Sequence, residues 1–381
     1  MCMNTGAPRQ TPAPATSLPR LALLQIVVSD PNPCTALMAG PSAYHSTTVP
    51  CTHGGADPAV PDSGTGIPVV DFDALVNGAA EQRAQAVRDV GRACQDWGFF
   101  MVVNHGVSED LKEAFMASCE ELFSSPSEEK AAYLEAGPMA PVRVGSGFYA
   151  AVDGARYCRD YVKMFAHPEL HCPAKLIRAE VATEYAATTR RLLLSLATAV
   201  SESLGLAGGR VAEAMRLESS SPNRYPAPCT GQGGDDDVGV PALGLPAHSD
   251  HGFLTLLFQN GVDGLQVHHG GRWLLATPLP GAFFVIAGDQ LEIVSNGRYK
   301  GVLHRAVVGG ERARMSAVSM ISPCLDAVVE PVPELAVDGQ GLEFRGVRYR
   351  DYMEHQQSNR LNGKAALDIA RVQRAVAEPD N

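Results

Sequence analysis

The pattern of hydrophobic and polar positions in the first part of the chain predicts a mainly helical region. From Glu81 to Trp97, and again from about Glu109, apolar residues recur at spacings of three and four, the period of an amphipathic helix. The segment from Ala179 to Leu206 has the same pattern. Between the first two helices, Phe99–Val103 is a short apolar run that ends in a turn, which predicts a buried strand. We therefore expect residues 67–220 to form a helical support around a few strands.

The pattern changes after Pro222. From Pro246 to Pro323, short apolar runs of β type are separated by Gly, Asn, Asp and Pro, and this spacing is typical of a β-sandwich or β-barrel. A jelly roll is the form best suited to a central ligand cavity. We predict an α+β protein with a double-stranded β-helix, or jelly-roll, core at residues 221–330. A C-terminal strand, helix and tail are expected at residues 331–381.

The first 66 residues differ from the rest in composition. Residues 1–66 are rich in Pro, Thr, Ala, Ser and Gly without sustained periodicity, and predict a flexible leader. The apolar run Leu21 to Val28 lacks a cleavage site and does not indicate a secretory signal. No acidic residue precedes Asp30, so an organelle-targeting segment stays open as an alternative. Another alternative is a start at Met38, in which residues 1–37 would not belong to the protein.

Charge and cysteine usage restrict the partners and the compartment. The chain has 31 Lys and Arg against 42 Asp and Glu, a net charge of −11, which disfavours binding to nucleic acid or to an anionic membrane. No stretch reaches the ~18 apolar residues of a spanning helix. The nine cysteines are never spaced as C-x-x-C, which indicates free thiols in a reducing compartment. We expect a cytoplasmic protein without nucleic-acid or membrane partners.

Two histidines and one aspartate in the β-rich region form a candidate metal site. His248 and Asp250 are two residues apart, so on a strand their side chains point to the same face. His304 lies in a later strand that a jelly roll can bring beside the first pair. Two imidazoles and one carboxylate on one face of a metal, with open positions opposite, are the ligand set of non-haem Fe(II) oxygenases.

A second pair of polar residues follows the candidate metal site. Arg314 and Ser316 are also two apart on a predicted strand and face the same way. A guanidinium with a neighbouring hydroxyl binds a carboxylate in a fixed orientation. Because a buried Arg without an anion is costly, the pair predicts an acidic small molecule in the cavity.

The motifs in this region resemble those of the plant-type 2-oxoglutarate- and Fe(II)-dependent dioxygenases. The resemblance covers Leu-Pro-Ala-His-Ser-Asp-His-Gly from Leu245, then Gly288-Asp289, then Val302-Leu-His-Arg305 and Arg314-Met-Ser316. The segment Trp97-Gly-Phe-Phe-Met-Val-Val-Asn-His-Gly106 is similar to the N-terminal region of the same family. The run that begins at Tyr349 resembles the flavonol-synthase-like and DMR-type branch.

The resemblance implies the cofactors and the roles of single residues. It implies Fe(II) as the metal, 2-oxoglutarate as co-substrate and ascorbate as reductant. The implied iron ligands are His248, Asp250 and His304. The residues implied to bind 2-oxoglutarate are Arg314 and Ser316 at its distal carboxylate, with Tyr225 and Asn223 of an Asn-x-Tyr segment as further hydrogen-bonding groups.

The resemblance also implies the reaction. We expect hydroxylation of a small, largely apolar or aromatic plant metabolite by O2, with release of succinate and CO2, in a monomeric enzyme without a catalytic general base. A flavonoid, a phenolic, a terpenoid hormone or an indoleamine such as melatonin would fit, and desaturation is the second choice of outcome. Two alternatives stay open: an oxidase of the same fold that does not use 2-oxoglutarate, and a catalytically silent relative that binds a small molecule.

Candidate substrate-binding residues are aromatic. Phe148, Tyr149 and Tyr161 lie in short runs before the β-rich region and are candidates for the pocket wall, although core packing explains them equally well. His251 directly follows Asp250, and strand alternation turns it away from the face used by the proposed ligands. We therefore expect His251 to be structural.

Overall fold

The computed structural model of the protein describes residues 22–29, 60–61, 66–134, 140–145, 148–150, 156–158, 160–167, 169–173, 177–217, 245–307, 313–336, 341–358 and 363–372. The description below refers to these residues. None of the helices in them is long and apolar enough to cross a membrane.

The strands are distributed over both halves of the described chain. Their bounds are β1 Ala22–Ser29, β2 Val60–Pro61, β3 Val69–Asp71, β4 Phe99–Val103, β5 Val142–Gly145, β6 Phe148–Ala150, β7 Arg156–Cys158, β8 Asp160–His167, β9 Leu245–His248, β10 Leu254–Gln259, β11 Leu265–His269, β12 Arg272–Leu275, β13 Phe283–Ala287, β14 His304–Ala306, β15 Arg314–Ile321, β16 Val328–Val329 and β17 Val347–Arg348.

The helices lie mainly in the first half. Their bounds are α1 Phe72–Val76, α2 Ala80–Asp96, α3 Glu109–Ser124, α4 Ser127–Leu134, α5 Ala179–Ser203, α6 Arg210–Ala214, α7 Asp289–Val294 and α8 Tyr349–Ser358, with 3₁₀ turns at Pro333–Leu335 and Ala365–Ile369. Helices α2, α3 and α8 and strand β4 agree with the sequence analysis. Helix α7 was missed, because its six residues are too few to show a helical period and its polar residues Asp289, Gln290 and Glu292 are buried like the apolar ones.

Two sheets form the barrel-like core. The larger has the strand order β3-β4-β13-β10-β15-β1-β8-β5, and the smaller has the order β2-β12-β11-β14-β9. A hydrophobic cluster that includes Leu257 of β10, Phe284 of β13 and Val267 of β11 joins residues of both sheets. This is the predicted jelly-roll core, and the α+β fold class is confirmed.

The other face of the larger sheet packs against the helices. The main hydrophobic cluster contains Leu256 and Ala317 from the sheet together with Phe115 of α3 and Leu196 of α5. Each fully buried Leu or Phe contributes about 1.5–3 kcal/mol through the removal of apolar surface from water. The helices therefore act as a rigid backing that leaves the opposite sheet face for the cavity.

Strand β1 differs from the expected flexible leader. It lies between β15 and β8 in the larger sheet, with Ser29 opposite Arg314 and Val27 opposite both Ser316 and Tyr161. Its sequence, Ala-Leu-Leu-Gln-Ile-Val-Val-Ser, is rich in apolar and β-branched residues that favour a strand. The sequence analysis missed this strand because the run stands alone in a Pro- and Thr-rich segment and both of its partners are distant along the chain.

Gly98 connects α2 to β4 at a position without room for a side chain. Its φ is +64°, and an added Cβ would lie 2.2 Å from the carbonyl oxygen of Lys300. Its own carbonyl accepts a hydrogen bond from the Ala287 amide of β13. The turn therefore combines left-handed backbone with close contact to the jelly roll.

We expect Gly98→Ala to lower the free energy of unfolding by about 2–5 kcal/mol, since it adds a clash to a left-handed backbone. Gly106→Ala is the matched control: Gly106 has φ +73° but nothing within 4 Å of an added Cβ. The control should cost only about 1–2 kcal/mol. Urea unfolding of both variants measures the difference, and equal losses would show that the contact with Lys300 is unimportant.

Candidate metal centre and co-substrate site

The pairing of β9 with β14 brings the two predicted metal-binding histidines together. His248, the last residue of β9, lies directly opposite His304, the first residue of β14, and their ring centroids are 4.3 Å apart. Asp250 follows two residues after His248, and its Oδ1 lies 3.7 Å from Nε2 of His248 and 3.8 Å from Nε2 of His304. The candidate ligand atoms of all three residues lie within 4.8 Å of one another.

Hydrogen bonds orient the candidate ligand atoms toward a common point. Nδ1 of His248 is 2.8 Å from the carbonyl oxygen of Pro246, and Nδ1 of His304 is 3.3 Å from that of Val302. Because a carbonyl only accepts, each Nδ1 carries the proton and each Nε2 presents a lone pair. This is the arrangement in which histidines bind metals in proteins.

The carboxylate of Asp250 is held in a similar way. The Thr255 hydroxyl donates to Oδ2 at 2.6 Å, which leaves Oδ1 facing the two histidines. Burial alone would raise the pKa of Asp250, but the electrostatic interaction with the neighbouring His304 and His248 and the Thr255 hydrogen bond outweigh burial, and the net pKa is lowered. The donor set of two neutral imidazoles and one carboxylate therefore fits Fe(II).

Other histidines lie outside this cluster. His251 points to Tyr349, whose hydroxyl is 2.7 Å from its Nδ1, and burial lowers its pKa to about 4. His269 is stacked on Trp97 with ring centroids 3.7 Å apart. Among the described residues, the group able to hold a metal is limited to the three predicted ligands.

Arg314 is buried on the same sheet as Thr255. Its side chain is 3% exposed, Nη2 donates to Oε1 of Gln259 at 3.0 Å, and Nη1 lies 3.5 Å from the Ser316 hydroxyl. Burial lowers the pKa of Arg314 to about 10. Within the described part of the chain, its Nε has no hydrogen-bond partner and no carboxylate forms an ion pair with it. The guanidinium is thus arranged for an anion that enters the cavity.

Strand β10 links the two halves of the site. Thr255, which contacts Asp250, and Gln259, which contacts Arg314, are four residues apart and lie on the same face of this strand. Asp250 and Arg314 therefore both contact the same face of β10, at positions about 13 Å apart along the strand.

The sequence analysis did not identify Thr255 or Gln259. Both are polar residues within an otherwise apolar strand, Leu-Thr-Leu-Leu-Phe-Gln. The signal that could have revealed them is that these two polar residues are four positions apart and so lie on the same face of the strand. Their partners, however, become apparent only when β10, β15 and the loop after β9 are assembled.

The remaining predicted site residues are only partly described. Tyr161 of β8 is 5% exposed and lies on the opposite face of the strand from the core residue Val162. Phe148 and Tyr149 belong to β6, whose backbone pairs with β7. Tyr225 and Asn223 lie outside the described residues.

The jelly roll with a cluster of two histidines and one aspartate defines the class of mononuclear non-haem iron oxygenases. The chain belongs to the 2OG-Fe(II) oxygenase superfamily, whose family model matches residues 217–323. The model described as "non-haem dioxygenase in morphine synthesis N-terminal" matches residues 67–179. Both matches confirm the resemblance found in the sequence.

Individual relatives agree with this assignment. The chain is 63% identical over 337 residues to 2-oxoglutarate-dependent dioxygenase 19 of Oryza sativa subsp. japonica, covering 87% of this chain and 96% of the relative. It is 35% identical to Flavanone 3-dioxygenase 2 of the same plant, over 80% of this chain and 88% of the relative. The protein is therefore a plant-type 2-oxoglutarate-dependent dioxygenase, and Fe(II) and 2-oxoglutarate are its metal and co-substrate.

Solved structures show the same fold. The crystal structure of JOX2 in complex with 2OG, Fe and JA has a TM-score of 0.64 at 23% identity and covers 91% of this chain and 100% of that chain. The dioxygenase for auxin oxidation from rice has a TM-score of 0.60 at 25% identity and covers 80% of this chain and 100% of that chain.

We expect Thr255→Val to weaken metal binding about tenfold, because it removes the hydrogen bond that orients Asp250. Thr277→Val is the control, since the Thr277 hydroxyl donates to Asp263 at an exposed position. Titration of each purified variant with Mn(II), followed by electron paramagnetic resonance of the free ion, gives the affinities. Equal affinities for the two variants would contradict a role for Thr255.

Proposed function

We propose that His248, Asp250 and His304 bind the Fe(II), and that Arg314 with Ser316 binds the distal carboxylate of 2-oxoglutarate. The observation that carries this proposal is the convergence of three ligand atoms within 4.8 Å beside strand β10, whose Gln259 contacts a buried, incompletely paired guanidinium. Tyr225 and Asn223 are proposed as further hydrogen-bonding groups for the co-substrate.

In this proposal, the protein side chains orient the metal and the co-substrate, and they do not transfer protons. His248 and His304 present neutral Nε2 atoms, and Asp250 supplies one negative charge. When bound together, Fe(II) and 2-oxoglutarate supply the oxidising chemistry, in which O2 is consumed, 2-oxoglutarate becomes succinate and CO2, and one oxygen atom enters a substrate carbon as hydroxyl. Arg314 fixes the far end of the co-substrate, and the apolar cluster between the sheets excludes water. No residue is needed as a general base.

We infer that the primary substrate is a small, largely apolar or aromatic plant metabolite that is hydroxylated, with desaturation as the second outcome. Tyr161, on the face of β8 away from the helices, supports an aromatic pocket wall, to which we also assign Phe148 and Tyr149. The names of similar proteins support this, since flavanone, auxin and thebaine, which appear in them, are small ring compounds. A flavonoid, a phenolic, a terpenoid hormone and an indoleamine such as melatonin are the candidates.

The cellular setting is part of the same proposal. We propose a monomer that works in the cytoplasm with ascorbate as reductant. One relative, 2-oxoglutarate-dependent dioxygenase 21 of Oryza sativa subsp. japonica, is named as chloroplastic, which keeps organelle targeting as the alternative.

A substrate panel tests the proposed reaction. The purified protein with Fe(II), 2-oxoglutarate and ascorbate should convert at least one of a flavanone, salicylate, a gibberellin-type terpenoid and melatonin to a product with one added oxygen, with one succinate released per product. Mass spectrometry measures both. Product without succinate would favour the oxidase that does not use 2-oxoglutarate. If neither succinate nor product forms with any compound of the panel, the result would favour a catalytically silent relative that only binds a small molecule.

We expect Arg314→Met to abolish the rise in Tm that 2-oxoglutarate causes in the metal-loaded protein, while leaving the Tm without 2-oxoglutarate unchanged or higher. The reason is that methionine removes a costly buried charge together with its anion-binding group. Thermal unfolding with and without 2-oxoglutarate measures both effects.

The control is Arg210→Met, which removes a guanidinium paired with Glu334 at 2.7 Å at an exposed position. It should keep the 2-oxoglutarate-dependent rise in Tm. A retained rise in Arg314→Met would disprove the assignment of Arg314.

A further inference from the structure

The carboxylate of Asp289 is buried next to the loop that carries Asp250, but it is not part of the metal cluster. Asp289 is the first residue of α7, is 1% exposed, and follows Gly288 at the end of β13. The proposed mechanism gives it no role. Because burial of a carboxylate is costly, its contacts need an explanation.

The backbone at the start of α7 binds the loop that carries Asp250. The amide of Asp289 donates to the carbonyl of Asp250 at 2.8 Å, that of Gln290 to Gly252 at 3.0 Å, and that of Gly288 to Phe253 at 3.0 Å. Amides at a helix start have no partner within the helix, and here three successive amides are satisfied by the loop. A Cβ at Gly288 would lie 2.2 Å from the Gly252 carbonyl oxygen, so the two segments are in close contact.

The carboxylate of Asp289 contacts the same loop and a distant helix. The Ser249 side chain, which lies between His248 and Asp250 in the chain, neighbours this carboxylate and acts to lower its pKa. The hydroxyl of Tyr352 in α8 donates to Oδ2 at 2.6 Å, whereas Oδ1 has no hydrogen-bond partner among the described residues. Asp289 therefore lies between the loop that carries the two proposed ligands and the C-terminal helix.

A further contact comes from the chain after α8. The amide of Ser249 lies 3.4 Å from the carbonyl oxygen of Gly363, and Lys364 forms an ion pair with Glu292 on α7. Ser249 thus has Asp289 beside its side chain and the C-terminal segment against its backbone. With α7 on one side and the C-terminal segment on the other, the loop has little freedom to move.

We propose that Asp289 is a positioning residue for the iron site: its amide binds the Asp250 carbonyl and its carboxylate lies against Ser249, so that His248 and Asp250 converge on the metal, and Tyr352 holds Asp289. This rests on the proposed function of His248, Asp250 and His304 as the iron ligands. Neither Asp289 nor Tyr352 contacts the metal or the reacting atoms.

The test compares metal binding in five full-length variants with the wild type, one of which, His304→Ala, removes a proposed ligand. Asp289→Leu removes both acceptor oxygens at similar size, and Tyr352→Phe removes one donor. Asp289→Asn keeps one amide oxygen and is the rescue variant. Tyr299→Phe is the matched control for Tyr352→Phe, because Tyr299 is also buried and its hydroxyl bonds a single side chain, that of Ser203 at 2.8 Å.

Three quantities are measured: Tm, the dissociation constant for Co(II), and the visible absorption spectrum of bound Co(II), which reports ligand geometry. We expect Asp289→Leu and Tyr352→Phe to weaken Co(II) binding about tenfold and to alter the spectrum, on the scale known for outer partners of metal ligands. Asp289→Asn should recover most of the affinity. Tyr299→Phe should lower Tm as much as Tyr352→Phe without changing affinity or spectrum.

The outcomes separate this proposal from the assignment of the ligands. If His304→Ala binds Co(II) as tightly as wild type, the ligand set is wrong. If His304→Ala loses binding but Tyr352→Phe and any folded Asp289 variant keep wild-type affinity and spectrum, the positioning role is wrong. Should Asp289→Leu fail to fold, Tyr352→Phe against Tyr299→Phe decides the question alone.

Discussion

The register between β9 and β14 is the constraint on which the site depends. Residues directly opposite in an antiparallel pair have Cβ atoms about 5 Å apart, and this places the rings of His248 and His304 side by side. A slip of one residue would turn His304 to the other face of the sheet and remove it from the site. The Thr255 hydrogen bond and the packing of α7 position Asp250, but this completes the site only if β9 and β14 pair in this register.

The buried Arg314 is the second constraint, and it opposes stability. Burial lowers its pKa to about 10, which shows how unfavourable the cavity is for the charged form. Hydrogen bonding to Gln259 offsets only part of this cost. A protein selected for stability alone would place an apolar residue here, so the guanidinium indicates function. Under the proposed function, a carboxylate of the co-substrate forms the direct ion pair with Arg314 that the described residues do not form.

Much of this could be predicted from the sequence because the signals are local. Alternation on a strand placed His248 and Asp250 on one face, helical spacing located α2, and the family motifs identified Arg314. Features that depend on distant partners were missed. Strand β1 pairs with residues almost 300 positions away along the chain, and Asp289 is explained only by its contacts with Ser249 and Tyr352. Tyr225 and Asn223 stay predictions, since they lie outside the described residues.

We propose that the jelly roll holds the iron and 2-oxoglutarate between the histidine pair and Arg314. Anomalous diffraction from crystals grown with Mn(II) and 2-oxoglutarate under anaerobic conditions is the decisive measurement. We expect a single strong peak bonded to Nε2 of His248, Nε2 of His304 and Oδ1 of Asp250, with the distal carboxylate of 2-oxoglutarate on Arg314. Metal bound elsewhere, or 2-oxoglutarate with its distal carboxylate away from Arg314, would contradict it.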